Sequence, residues 1–279
     1  MLSEFISYGF VQRGLLAGSL VAVVCSVLGV FLVLKRLSLI GDGLSHVCLT
    51  GVALGLLTQT SPLYMSVPVV VLSSLGILKV MDKIKVYGDA AIGIVSAAGL
   101  ALGIMITAFA GGFNADLFGF LFGSILTVGK TEVFLCAVLL VSLLLFLLVF
   151  YRDLIAASFD EAFAHTRGIN VKRLNMALIL FTSVAVVLAF KVVGIFLISA
   201  LIILPPVTAL LVAKTFKQVL IWAAVVAVLS VWSGVYLSFV FNIPSGATII
   251  LVNLLFLLMG FVYSKLVSLQ DKKGEKDVD

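Results

Sequence analysis

The sequence predicts an all-α bundle of membrane-crossing helices, and three observations carry that prediction. Of its 279 residues, 63% are hydrophobic and only 11% are charged, whereas about a quarter of the residues in soluble domains are charged. The mean hydropathy is +1.32, and apolar runs recur along the chain near the roughly 20 residues that a helix needs to cross a hydrocarbon core. Alternating strands of the barrel type do not occur, so backbone groups inside the bilayer must be satisfied within helices.

The expected spans fall at 10–34, 44–58, 62–81, 90–110, 131–150, 174–190, 192–213, 218–240 and 246–264, within a polytopic bundle of about eight to ten crossings. The first run, Leu15 to Leu34 with Glu4 and Arg13 ahead of it, is too long for a signal-peptide core and reads as a retained helix. Between the fourth and fifth spans, Asp116 to Thr127 is short enough to be a re-entrant or surface segment. Residues 1–265 form one membrane domain, and the charged tail 266–279, QDKKGEKDVD at its end, has no periodicity and reads as disordered.

The net charge of +5 comes from basic residues placed singly or in small groups beside apolar runs. That distribution indicates topology and membrane-lipid contact, with no nucleic acid as partner. Placing Lys35-Arg36, the Lys79/Lys83/Lys85 group, residues 151–173, Lys214/Lys217 and the Lys-rich tail in the cytoplasm requires an outside N-terminus and a segment 116–127 that does not cross; a second topology has the polar stretch after Lys35-Arg36 dip into the bundle. Cys25, Cys48 and Cys136 show no metal-finger or CxxC spacing and read as buried small hydrophobes.

GxxxG spacing at Gly14/Gly18, Gly51/Gly55, Gly99/Gly103 and Gly119/Gly123 supports close helix packing in lipid, although 24 glycines make such pairs common. Pro205-Pro206 interrupt an apolar run and are expected to kink or break that helix. The polar connection YRDLIAASFDEAFAHTRGINVKR, residues 151–173, places Leu154, Ile155, Phe159 and Phe163 at helical intervals. It predicts a short amphipathic helix, ended by Gly168, that lies flat on lipid headgroups or docks a cytoplasmic partner.

Enzymatic readings find little support. GSILTVGKT, Gly123 to Thr131, has five residues between its first glycine and the GK pair, where a phosphate-binding loop needs four. There is no HExxH or GxSxG, and the chain has only two histidines. Nucleotide energy would therefore come from another polypeptide, and the chain is expected to be no enzyme.

Asp42 and His46, in GDGLSHVCLTG, are the candidate chemistry. An Asp at mid-membrane costs roughly 2.5–3.5 kcal/mol on insertion scales and marks a functional site by default. The plain alternative is an N-cap for a helix beginning at Gly43, which leaves His46 unexplained. On a helix the two side chains share one face about 6 Å apart, with Thr50 a turn further on as a candidate pore-lining residue. Cys48 falls on the far side. Carboxylate plus imidazole suits zinc or manganese, and a proton relay is the other functional reading. Two ligands are too few for a closed site, but two copies of the chain facing each other supply four on a symmetry axis. Glu161 and His165 repeat the spacing on a solvated segment and read as a surface pair.

The run RLSLIGDGLSHVCLTGVALG, Arg36 to Gly55, resembles the membrane-permease subunits of bacterial zinc and manganese ABC importers. DAAIGIVSAAGLALG at 89–103, SFDEAFAHTRGINV at 158–171 and VGIFLISALIILPPVTALL at 193–211 extend the resemblance in order over most of the chain. It implies an ABC importer permease fold in the bacterial cytoplasmic membrane, working as a homodimer with cytoplasmic ATPase subunits and an extracytoplasmic metal-binding protein. It also implies that Asp42 and His46 ligate the transported ion, which is cargo and not a resident cofactor. By the same resemblance Ser158, Phe159, Asp160, Glu161, Ala164 and Gly168 belong to the region that couples to the ATPase. Manganese-type relatives tend to carry Pro where this chain has Thr50, and FVQRGLLAG at 10–18 is closer to the zinc branch, so zinc is expected before manganese or iron.

Overall fold

The computed structural model describes residues 9–84, 88–109 and 128–276, and the described elements are all helices. In chain order they are α1 (Gly9–Leu34), α2 (Ile40–Leu57), α3 (Pro62–Ile84), α4 (Gly88–Phe109), α5 (Lys130–Phe159), α6 (Glu161–Thr166), α7 (Val171–Val193), α8 (Ile195–Val212), α9 (Phe216–Phe241) and α10 (Ser245–Lys276). Eight are long and apolar enough to cross a membrane, and α8 is a shorter apolar helix. The segment expected at 116–127 and the Gly119/Gly123 pair lie outside the described residues. α10 carries on into the stretch expected as a disordered tail.

The ends of the helices sort by charge. Lys35, just past α1, donates to the carbonyl of Ala157 near the end of α5 at 2.8 Å, so α1 and α5 run parallel. Lys217 shares a groove with Tyr151 at that end, and Lys79 shares a cleft there with Glu161, His165 and Lys172. The basic groups expected to share one side of the membrane thus lie at one end of the bundle.

α1 sits at the centre, with Val21, Val24, Cys25, Leu28 and Phe31 all buried. The outward faces of α4, α5, α9 and α10 carry exposed Met105, Leu148, Trp232 and Leu255, as helices facing lipid require. Small residues set the closest approaches. A Cβ on Gly99 of α4 would stand 2.6 Å from Val47 Cγ2, and one on Gly55 of α2 would stand 2.6 Å from Pro62 Cα. α2 is therefore held between α3 and α4 at backbone distance.

Two helix boundaries differ from expectation for identifiable reasons. α7 ends at Gly194, whose φ of +84° is a conformation that suits glycine alone, and α8 starts at once on the other side. α8 then runs unbroken through Pro205-Pro206, where a kink or break was expected. Pro206 has no N–H for the Ile202 carbonyl, and that oxygen lies where a Cβ on Gly29 of α1 would be. The freed acceptor is packed against a neighbouring backbone, so the helix tolerates the loss.

That contact yields a prediction. Gly29→Ala forces backbone apart, because Pro206 Cγ lies 2.8 Å from the new methyl as well, and overpacking of this kind costs about 1–3 kcal/mol. Gly76→Ala, with nothing within 4 Å, gains up to about 1 kcal/mol from helix propensity. Thermal unfolding in detergent should separate the two in opposite directions; equal shifts would contradict the close approach.

Candidate functional site

α2 is short, and its start explains the site. Leu39, at the cap position, is itself helical (φ −74°, ψ −7°) and offers no side-chain cap. The helix begins at Ile40, so Asp42 lies inside the first turn and is not the N-cap of a helix starting at Gly43. One turn on, His46 Nε2 stands 3.7 Å from Asp42 Oδ2, with the imidazole 29% and the carboxylate 49% exposed. Both side chains are therefore partly open to the surroundings.

The separation tells against a simple hydrogen bond, which needs about 3.2 Å or less. Two donors each about 2.0–2.2 Å from a shared zinc ion at a tetrahedral angle stand roughly 3.3–3.6 Å apart, close to the 3.7 Å separation found here. Among the described residues no three of His, Cys, Asp and Glu converge.

A third residue reaches the pair from another helix. Ser199 Oγ of α8 donates to Asp42 Oδ1 at 3.0 Å. Nothing local in the sequence marks it, since a lone serine in the run IFLISALIILPP has no spacing to another polar group. Thr50, the candidate pore-lining residue, is 6% exposed and its hydroxyl donates to the Gly99 carbonyl at 2.5 Å. The residue ties α2 to α4, and that bond accounts for its burial. Cys48 is buried, as are Cys25 and Cys136, and all three are free.

At the basic end, α5 changes direction at Phe150 (φ −105°, ψ 15°), where the expected span ended and the polar connection began. Asp160 caps α6, its Oδ1 accepting from Phe163 N at 3.0 Å. Gly168, φ +75°, ends the turn, and Asn170 caps α7. Ala164 is fully buried, whereas Phe159 and Phe163 are 67% and 50% exposed. Ser158 Oγ is buried without a partner. Glu161 faces Lys35 at 3.2 Å and receives Asn175 Nδ2 at 3.4 Å, so it is bound into the bundle and is not paired with His165. Burial pushes the Lys35 ammonium below the ordinary lysine range, opposed by the Glu161 carboxylate beside it. Phe159 also packs on Phe216 at 6.0 Å between ring centres, and Phe216 in turn on Phe31 at 5.6 Å. The surface segment is thereby joined to α9 and to the central helix.

A second polar pair, which no spacing in the sequence marks, joins α5 to α7. Glu132, in the first turn of α5, is ion-paired with Lys191 in the last turn of α7 and accepts from Gly129 N at 2.9 Å. Each charge sits at the helix end whose dipole favours it.

The described residues form a multi-pass helical bundle, with a carboxylate and an imidazole at one end of a short helix and a capped polar segment at the basic end. The chain belongs to the ABC 3 transport family, which matches residues 7–264. It is 34% identical to the manganese transport system membrane protein MntC of Halalkalibacterium halodurans, over 94% of this chain and 89% of that one. It is 28% identical to the high-affinity zinc uptake system membrane protein ZnuB of Haemophilus influenzae, over 86% and 92% respectively. Its fold matches the structure of PsaBC from Streptococcus pneumoniae in complex with Fab, with a TM-score of 0.83 at 31% identity over 94% of this chain and 95% of that one. The protein is a multi-pass permease of the bacterial cytoplasmic membrane.

Proposed function

We propose that this permease carries a divalent first-row transition metal, zinc first, across the membrane as part of an ATP-driven importer. The single observation that carries the reading is the open Asp42–His46 pair, 3.7 Å apart on one helical face. Two copies bring two carboxylates and two imidazoles together, a donor set and number that suit zinc. Manganese is the second reading, supported by the similarity to MntC; carboxylate and imidazole serve it as well.

Energy comes from cytoplasmic ATPase subunits bound at residues 151–173, and an extracytoplasmic binding protein delivers the ion at the opposite end. The exposed Phe159 and Phe163 side chains beside buried Ala164 form the docking surface, with Asp160 and Gly168 fixing the shape of the turn. Movement there reaches α1 and α9 through Phe216 and switches the bundle between outward and inward access.

The reading is tested by purification with the neighbouring gene products. A stoichiometric ATPase is expected, and Phe163→Asp should lower its recovery about tenfold without loss of the permease. A permease that purifies alone and moves cations down a proton gradient would instead be a secondary transporter with Asp42 and His46 as proton relay.

A further inference from the structure

Asp42 is held by two different neighbours, one on each oxygen. Oδ2 faces His46 Nε2 at 3.7 Å, whereas Oδ1 accepts the Ser199 hydroxyl at 3.0 Å from α8, 157 residues away in sequence. Ser199 is partly buried, and Ile202, one turn further along α8, lies directly against Gly41 and Gly29. The hydroxyl is thus carried to the carboxylate by a helix locked against both α1 and α2.

We infer that Ser199 is a specificity-determining positioning residue for the transported ion, an inference that rests on Asp42 and His46 being its ligands. A carboxylate can bind a metal through one oxygen or both. The Ser199 donor takes one lone pair of Oδ1 and draws down its charge, so Asp42 binds the ion chiefly through Oδ2, and each chain contributes two principal donors. Two chains then supply four, the number zinc prefers in tetrahedral sites. Without the donor, Oδ1 is released and Asp42 becomes bidentate, which raises the coordination number toward that of the oxygen-rich, six-coordinate sites that suit manganese. Outer hydrogen bonds of this kind are worth about 10–100-fold in metal affinity.

The test is competitive uptake of labelled zinc and manganese by the complete importer in vesicles, with wild type, Ser199→Ala, Ser199→Thr and Ser199→Cys. Ser199→Ala is expected to shift the zinc-to-manganese uptake ratio at least about fivefold toward manganese. Ser199→Thr, which keeps the hydroxyl, should hold the wild-type ratio. Ser199→Cys is close in volume with a weak donor and should shift as Ala does, which keeps the test decisive where the Ala variant fails to assemble. An unchanged ratio in Ala and Cys overturns the inference, as does equal loss of both ions in Thr, Ala and Cys, which marks a packing role only. Transport of neither ion by the wild type overturns the functional reading beneath it, and the inference falls with it.

Discussion

On the proposed reading, Asp42→Ala and His46→Ala should each reduce metal uptake to background while the permease still inserts, pairs and binds its ATPase. Each removes one of the two donors that a chain contributes, so a two-copy site falls from four donors to two. Neither change should unfold the bundle. Asp42 is 49% and His46 29% exposed, and removing a carboxylate from a membrane helix relieves an insertion cost of roughly 2.5–3.5 kcal/mol. The loss at Asp42 that bears on stability is the Ser199 hydrogen bond, worth about 1–2 kcal/mol. Asp42→Asn is the sharper variant. It keeps an acceptor for Ser199 and nearly the same volume but removes the charge, and uptake should fall as far as with Ala. Labelled-metal uptake, with size-exclusion chromatography of the assembled complex as control, separates loss of the site from loss of the fold. Wild-type uptake by both alanine variants would sink the assignment.

Lys191→Met should give a large loss of stability for a change outside the apolar core. It leaves Glu132, whose side chain is only 12% exposed, as an unpaired carboxylate between α5 and α7. Breaking a buried pair from one side costs about 3–5 kcal/mol, chiefly for the charge left behind. Lys191 is 29% exposed, so the lower end of that range applies. Glu132 also keeps its bond from Gly129 N and the favourable end of the α5 dipole. The double variant Glu132→Gln/Lys191→Met removes both charges and should regain most of the stability. A thermal-unfolding cycle in detergent measures the coupling. A double-variant loss equal to the sum of the Glu132→Gln and Lys191→Met losses would show that the pair is not coupled.

Much of the fold was legible because the bilayer constrains it. Apolar runs of sufficient length must become helices, and basic residues must gather at one end, so spans and orientation follow from composition and charge. The exceptions share a physical cause. Pro205-Pro206 suggested a break, but an apolar run does not disclose that Gly29 of another helix stands ready to receive the freed Ile202 carbonyl. Gly194 ends one helix and starts the next by its backbone conformation alone, and the sequence there is as apolar as on either side.

The candidate site divides the same way. Asp42 and His46 were visible because four-residue spacing puts two polar side chains on one face of one helix. Ser199 lies 157 residues from Asp42, and only the packing of α8 on α2 brings its hydroxyl to the carboxylate. Thr50 shows the converse: spacing put it on the face of the pair, while the close approach of α4 at Gly99 turned its hydroxyl onto a neighbouring backbone. The Glu132–Lys191 pair joins residues 59 apart, each of which alone reads as a charge near a helix end.

The most direct measurement is labelled zinc accumulation, against manganese competitor, in vesicles holding the permease with its ATPase and binding protein. Accumulation that requires ATP, that manganese competes for weakly, and that disappears in Asp42→Ala is the predicted result. Accumulation without ATP that follows an imposed proton gradient, or ATP-driven uptake untouched by Asp42→Ala, would contradict it.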